Sequence, residues 1–441
     1  MSSELFVKAM PLEVQELMMR LKEGHTAMPS GVSTISPYVH HEKGFLYLKS
    51  IFEMQQELKN LAPIIEPPFT VDINSSLLEE QKAAIFFALR SSLTLLTGGP
   101  GTGKSFTIAE LIRSYFNYFG MSKLVALAAP TGKASQQLQP LVKDLPVKLA
   151  TLQRLLFIYE QPFIGSEEIV PLPFDLIIVD EASMIDLPLM VRLFQRMKRG
   201  SKLVLVGDKD QLPPVGLGEP FVDLMKIYSA HVMRLTQCMR SNCSDILELA
   251  SALRKNSLPQ TLNISWPPSL KAFDYGSSPE ESLMRQKEYR ILSPLVEGPH
   301  GSRQISEKLF GLSKGHFYAP IIITENDFKQ SLYNGLLGSL EVLDGQFIKA
   351  YFLTELGIES FSPQDLPAFE LAYAITVHKS QGSEFDTVHF VIPPGSERFG
   401  KELLYTGVTR TKKKLILSAP EGQIELCLEA SQSRCTGVVS L

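Results

Sequence analysis

A chain of 441 residues with formal charge −4, 44% apolar and 20% charged residues, has the composition of a soluble globular protein large enough for several cores. That balance excludes a polycation acting through a global field, so nucleic-acid binding would need a local basic groove. The four cysteines, Cys238, Cys243, Cys427 and Cys435, have neither the density of a disulfide scaffold nor the spacing of a zinc site, and are expected as reduced thiols.

The opening MSSELFVKAMPLEVQELMMRLKEG has helical periodicity with charges throughout, and no run of about 18 apolar residues occurs anywhere, so a cytoplasmic location is expected. Residues 1–75 read as a preface: a helical segment, a Gly/Pro/Ser joint (AMPSGVSTISP), a second helical run (GFLYLKSIFEMQQELKNLA) and a Pro-rich linker (APIIEPPF). Over 76–240, LTLLT, KLVALAAP, FDLIIVD and KLVLVGD are continuous apolar runs, each followed by turn residues and a helical pattern. They predict an α/β domain with a parallel sheet covered on both faces. Over 241–441 a second α/β domain follows, with strands at EYRILSPL, APIIIT, HFVIPP and KLILSAP. Within it, at about 315–368, Asn-Gly and Asp-Gly turns between alternating apolar residues predict a small antiparallel barrel.

The run LTLLTGGPGTGKSFTIAELI satisfies G-x-x-x-x-G-K-[ST] between a strand and a helix. Gly98, Gly99, Pro100, Gly101, Thr102 and Gly103 would curl backbone N–H groups around phosphate oxygens. Lys104 would reach the β/γ oxygens, Ser105 would ligate Mg²⁺, and Phe106 is counted with them in the nucleotide-binding run. In DLIIVDEASM, Asp180 at a strand exit suits a Mg²⁺ contact and Glu181 suits polarising the attacking water. In KLVLVGDKDQLPPVG, Gln211 is either a loop residue or a γ-phosphate sensor. Arg240 (RLTQCMRS) and Arg410 (LLYTGVTRTKKKL) are either solvated or supply charge across a cleft that closes on ATP. Lys412, Lys413 and Lys414 read as a solvated edge.

Taken in order, GGPGTGKS, AAPTGKA, ATLQRLL, VDEASMIDLPLM, VGDKDQLPPVG, QCMRS, AITVHKSQGSEFD and LYTGVTRTK resemble the motifs of superfamily 1 helicases. Their wording is most similar to the RecD family, the alpha chains of exodeoxyribonuclease V. The resemblance spans about 77 to the C-terminus, with a looser likeness upstream at GHTAMP and LYLKSIFEMQQELKNL. It implies two RecA-like P-loop motor domains with parallel sheets, a small SH3-like β insertion in the second and a short helical N-terminal region. It also implies ATP and Mg²⁺ as cofactors, hydrolysis coupled to 5′→3′ movement on single-stranded DNA, and RecB- and RecC-like partner subunits at DNA ends. Residue by residue it makes Gln81 the adenine reader, Gln211 the γ-phosphate sensor, and Arg240 and Arg410 the arginine contacts. By the same analogy Pro130, Thr131, Lys133, Thr151, Arg154, Thr376, His378, Lys379 and Gln381 face the DNA strand, although His378 also suits a structural role at a strand end.

The chain departs from the family in three places. Gln153 stands where family members carry histidine, and an amide hydrogen-bonds without becoming cationic. The segment 157–173, where a duplex-splitting hairpin belongs, is short and Pro-rich. The N-terminal region, which docks partner subunits in the family, is shorter than usual. No nuclease constellation is evident, so nuclease activity would belong to a partner. An ATP-binding assembly subunit with little motor activity, and an RNA helicase with the same engine, remain alternatives; 2′-hydroxyl contacts would mark the latter.

Overall fold

The computed structural model describes residues 12–29, 39–71, 73–158, 170–238, 244–259, 262–270, 273–327, 329–354, 357–430 and 434–436. Helix α1 (Leu12–Lys22) precedes strands β1 (Met28–Pro29), β2 (Val39–Glu42) and β3 (Phe45–Leu48), an antiparallel sheet ordered β1-β3-β2. Leu17, Met28 and Leu46 make its small core. The run expected to be one helix therefore divides. Lys43 and Gly44, at φ 49° and 80°, turn the chain back onto β2, and the aromatic Phe-Leu-Tyr-Leu segment pairs as β3. Only the remainder forms α2 (Lys49–Lys59).

Next come α3 (Glu79–Arg90), β4 (Leu93–Gly98), α4 (Lys104–Phe119), β5 (Val125–Ala129), α5 (Gly132–Val142), β6 (Val147–Thr151) and α6 (Leu152–Ile158). They continue into β7 (Leu176–Val179), α7 (Leu187–Gln195), β8 (Lys202–Gly207), α8 (Pro220–Ile227) and β9 (Val232–Leu235). The strands form one sheet ordered β6-β5-β7-β8-β4-β9, with every pair parallel. Successive residues serve opposite faces. Leu95, Ala126, Ile177 and Leu203 enter one core, while Leu96, Leu127, Ile178 and Val204 enter the other. Both faces are covered, which is why the strand sequences read as unbroken apolar runs.

The second half contains α9 (Ser244–Arg254), β10 (Ile264–Ser265), α10 (Pro279–Arg285), β11 (Tyr289–Ser293), α11 (Ser302–Leu312), β12 (His316–Ile323), β13 (Leu337–Leu343), β14 (Gln346–Thr354), β15 (Gly357–Phe361) and β16 (Phe369–Leu371). It ends with β17 (Ala374–Thr376), β18 (Phe385–Val391), α12 (Gly400–Thr409), β19 (Thr411–Ser418) and α13 (Gln423–Glu429). A second parallel sheet runs β10-β19-β18-β11-β17. The chain is thus α/β with two parallel sheets.

The APIIIT run joins an antiparallel sheet ordered β15-β14-β13-β12-β16 rather than the parallel one. Its β13–β14 hairpin turns at Asp344 and Gly345, with φ 49° and 81°. Among the described residues its edge strands β15 and β16 do not pair, so the expected barrel is an open sheet. The sheet packs its Ala319, Ile321, Leu340 and Phe352 against Ile291 and Val391 of the parallel sheet, and that shared core takes the place of closure. The expected duplex-splitting hairpin falls mostly on 159–169, outside the described residues. No described helix is long and apolar enough to cross a membrane.

Candidate nucleotide site and nucleic-acid interface

Because the strands of the first sheet are parallel, their carboxyl ends share one edge. In spatial order that edge carries Thr151 after β6, Pro130 and Thr131 after β5, Asp180 and Glu181 after β7, Asp208 and Gln211 after β8, and the glycine-rich turn after β4. The residues expected on a strand occupy the first two exits, and those expected on a nucleotide the next three.

The glycine-rich turn needs glycine for two distinct reasons. Gly103 has φ 80°, and a Cβ there would stand 2.6 Å from Gln81 Nε2. A Cβ on Gly98 would stand 2.9 Å from the Leu235 carbonyl. Lys104 Nζ donates to the carbonyls of Gly98 (2.7 Å) and Gly99 (2.9 Å), which lays the cation along the inside of the loop. The Thr102 hydroxyl closes the loop on Gly99 O at 2.9 Å. No side chain caps α4, leaving its N-terminal N–H groups for an anion. Gln81 braces this loop from behind: its Oε1 accepts from Leu78 N–H (3.1 Å) and its Nε2 reaches Thr102 O (3.4 Å).

A cavity of about 260 Å³ opens at this turn. Pro100, Gly101, Thr102, Gly103, Lys104, Ser105 and Phe106 line it, together with Asp180, Glu181 and Gln211. From the second half come Gly382, Glu384 and Arg410. Glu181 adopts a left-handed backbone, φ 52°, rare for a residue with a Cβ, and donates its N–H to Asp180 Oδ1 at 2.9 Å. Burial, then the Glu181 charge, push the Asp180 carboxyl above the usual carboxylate range. A divalent cation would reverse that shift, and the Asp180 carboxylate with the Ser105 hydroxyl is the hard-oxygen pair that Mg²⁺ takes, so the residues fit the ion.

Gln211 is buried, with Nε2 3.4 Å from Asp208 Oδ2 and Oε1 without a partner. The free atom is an acceptor and suits a water in the cavity; donating to a phosphate oxygen would require Nε2 to turn away from Asp208. Arg410 is 4% exposed. Its guanidinium donates to Thr406 O (3.2 Å), Ser383 O (3.3 Å) and Thr409 Oγ1 (3.3 Å), all neutral acceptors. Arg240 lies outside the described residues. The chain leading to it is fixed, because Glu80 accepts from Thr236 N–H (2.9 Å) and Gln237 N–H (2.7 Å), and Cys238 Sγ reaches Pro100 O at 3.6 Å.

On the neighbouring strand exits, Thr131 caps α5 by accepting from Ala134 N–H (3.2 Å), and Thr151 accepts from Arg154 N–H (3.2 Å). Pro130 is half-buried and Gln153 exposed. Arg154 donates to the hydroxyl of Tyr333, from the second half, at 3.3 Å. A Cβ on Gly132 would stand 2.8 Å from Tyr333 Cβ, so the two halves meet there closely. At the exit of β17, buried Thr376 accepts from Lys379 N–H (3.1 Å), and Lys379 Nζ pairs with Glu370 at 2.6 Å. His378 packs 5.6 Å from the Phe399 ring, and burial lowers its pKa, favouring the neutral imidazole. Gln381 is buried with its Nε2 unpartnered.

Lys133 departs from expectation. Its Nζ is wholly buried with no hydrogen-bond partner, 5.7 Å from the Phe385 ring of the second half, instead of lying open to a strand. The α5 helix begins at Gly132, and its first turn is pressed against the second half: Gly382 leaves only 3.3 Å between a Cβ and that of Ala134.

Two family descriptions match the chain: an AAA domain over 76–265 and a UvrD-like helicase C-terminal domain over 371–418. The chain is 33% identical over 419 residues to the RecBCD enzyme subunit RecD of Mycolicibacterium smegmatis, covering 82% of this chain and 74% of that one. The chain belongs to the RecD family. It is also 31% identical over 364 residues to the ATP-dependent RecD2 DNA helicase of Deinococcus radiodurans, covering 76% of this chain and 48% of that one. A Pif1 helicase structure shares the fold, with a TM-score of 0.52 at 18% identity over 78% of this chain and 92% of that one.

In this RecD-family chain, residues that sequence reasoning missed join the two halves beside the cavity. Tyr405 donates to Asp208 Oδ2 at 2.8 Å and stands 3.3 Å from where a Cβ on Gly99 would lie. Thr406 accepts from Leu212 N–H at 2.8 Å, and Arg254 lies 3.8 Å from Asp210 and over the Tyr405 ring. The motif LYTGVTR contains Tyr405 and Thr406, so they carried a signal, whereas Arg254 and Tyr333 sit in unremarkable helical and turn sequence.

Proposed function

We propose that this RecD-family chain is an ATP-dependent DNA helicase motor that moves 5′→3′ along single-stranded DNA. The observation that carries the reading is the cavity in which the phosphate loop, Asp180, Glu181 and Gln211 face Arg410 from the other half. A site assembled from two halves links hydrolysis to their relative motion. The motor is divided at about residue 240 into lobes of 76–240 and 241–441.

Lys104 leaves the Gly98 and Gly99 carbonyls to take β- and γ-phosphate oxygens, and the N–H groups of α4 hold the remaining charge. Mg²⁺, held by Ser105 and Asp180, would neutralise the developing phosphate charge. Glu181 accepts a proton from the attacking water, and its unusual backbone aims the carboxylate into the cavity. Arg410, with Arg240 from the segment beyond Cys238, stabilises charge on the transferred phosphoryl group, and Gln211 reports its presence. Thr131, Thr151, Arg154, Thr376, Lys379 and Gln381 contact strand phosphates from the two sheet edges. RecB- and RecC-like subunits at broken DNA ends are the partners this reading implies, in keeping with relatives named as RecBCD subunits.

Unwinding of duplexes bearing a 5′ or a 3′ overhang tests the reading. The 5′ substrate should open and the 3′ substrate should not, and Lys104→Ala should abolish hydrolysis and unwinding together. Hydrolysis that persists in Lys104→Ala would contradict the site, and opening of the 3′ substrate alone would reverse the polarity.

A further inference from the structure

A glutamine reads adenine by using both ends of its amide at once, the oxygen accepting from N6 and the nitrogen donating to N7. In this chain both ends of Gln81 are spent on backbone. Its Oε1 accepts from Leu78 N–H (3.1 Å), its Nε2 reaches Thr102 O (3.4 Å), and the residue is 2% exposed. Gly103 closes over it, since a Cβ there would stand 2.6 Å from Nε2. Gln81 does not line the nucleotide cavity, so a base held there would not touch it.

Rejecting a wrong base takes a buried polar group that such a base leaves unpaired. Among the described residues the cavity wall offers none outside the phosphate end. The Thr102 hydroxyl is committed to Gly99 O. Gln137 is exposed, where water satisfies it whichever base is bound, and Glu384 pairs with Lys412 at 3.7 Å. Phe106 offers something different. It follows Ser105 in the first turn of α4, lines the cavity, is 45% exposed, and joins neither core of the first half. The loop N–H groups cradle the α- and β-phosphates, and Lys104 reaches towards the γ end, where Gln211 and Arg410 stand. The nucleoside therefore leaves at the other end of the triphosphate, past the start of α4, where this ring has a free apolar face. Every base has a π-face to lay on it.

We propose that the site selects its substrate by the triphosphate and not by the base. Phe106 stacks on whichever base is present, and Gln81 braces the phosphate loop instead of reading adenine. The chain then consumes purine and pyrimidine nucleoside triphosphates alike. This rests on the reading of the cavity as a nucleoside triphosphate site.

The test is steady-state hydrolysis of ATP, GTP, CTP and UTP by the full chain with saturating single-stranded oligothymidylate. Values of kcat/KM should agree within about tenfold across the four. Phe106→Ala should raise KM about tenfold for every nucleotide, the loss of one stacked base, and change kcat far less; Phe106→Tyr should restore KM. Gln81→Ala should move the four KM values together, because it loosens the loop and leaves the base contact alone. Gln81→Glu, which keeps the bond to Leu78, stands in if that variant does not fold. A preference for ATP over UTP of about a hundredfold or more overturns the inference, and its loss in either Gln81 variant would return the adenine-reading role to Gln81. An unchanged KM in Phe106→Ala, or a fall in kcat alone, overturns the stacking role, the second because the ring would then be packing on the other half as the cleft closes. A wild-type chain that hydrolyses none of the four overturns the nucleotide-site reading first, and this inference with it.

Discussion

Lys133 holds a cation where nothing accepts its hydrogens, and such a group costs the folded state. Burial first, then the charges of Arg290, Lys287 and Arg410, bring its pKa from 10.5 down to about 7. Arg290, itself fully buried, lies 5.3 Å from the same Phe385 ring, and among the described residues no carboxylate forms an ion pair with either cation. Below about pH 7 the amine is protonated folded and unfolded, and the folded state bears the whole penalty. Between about 7 and 10.5 the unfolded chain binds more protons, so this residue's contribution to stability rises with pH. Lys133→Met, similar in reach and without the charge, should raise stability near neutral pH by about 1–3 kcal/mol and flatten that rise. A denaturant midpoint that is unchanged at neutral pH would show that the buried amine is paid for by a contact the apolar side chain cannot replace. Arg410 is the opposite case, buried yet lining the nucleotide cavity. Arg410→Ala should leave KM for ATP within a few-fold and slow turnover by about 10³-fold, the loss typical of an arginine finger; an unchanged turnover would remove that role.

At the scale of elements, the phosphate turn shows what local sequence can and cannot say. Its conformation was legible because Gly101 and Gly103, at φ 72° and 80°, meet a backbone requirement that any reader of the pattern can name. Gly103→Ala adds backbone strain and a Cβ 2.6 Å from Gln81 Nε2. It should cost about 1–2 kcal/mol of stability and raise KM for ATP at least about tenfold, measured by denaturant unfolding and steady-state turnover. The parallel strands were legible for a similar reason, since burial on both faces writes itself as continuous apolar sequence. What pattern does not encode is where one element leans on another far along the chain. The APIIIT run is equally apolar in a parallel or an antiparallel sheet, and the open β15 and β16 edges depend on a core shared with β11 and β18. Thr131 and Lys133 sit in one motif, yet one caps a helix and the other is sealed under the second half, because Phe385 lies more than two hundred residues downstream.

Across the whole molecule, the two halves are joined where β8 ends. The Tyr405 hydroxyl donates to Asp208 Oδ2, Thr406 accepts from Leu212 N–H, and Arg254 approaches Asp210, all beside Gln211. Tyr405 and Thr406 belong to α12, and Arg410 sits at the C-terminal end of that helix, so anchoring the helix at Asp208 places Arg410 over the cavity. Tyr405→Phe removes one buried hydrogen bond to a carboxylate, worth about 1.5–3 kcal/mol, while keeping the ring. If the hydroxyl acts by seating α12, strand-stimulated turnover should fall by about tenfold or more in Tyr405→Phe. The double variant Tyr405→Phe/Arg410→Ala should then be no slower than Arg410→Ala, because an arginine already absent cannot be misplaced. Losses that multiply in the double variant would mean that Tyr405 acts on Asp208 alone, and that the seating of Arg410 comes from elsewhere in the second half.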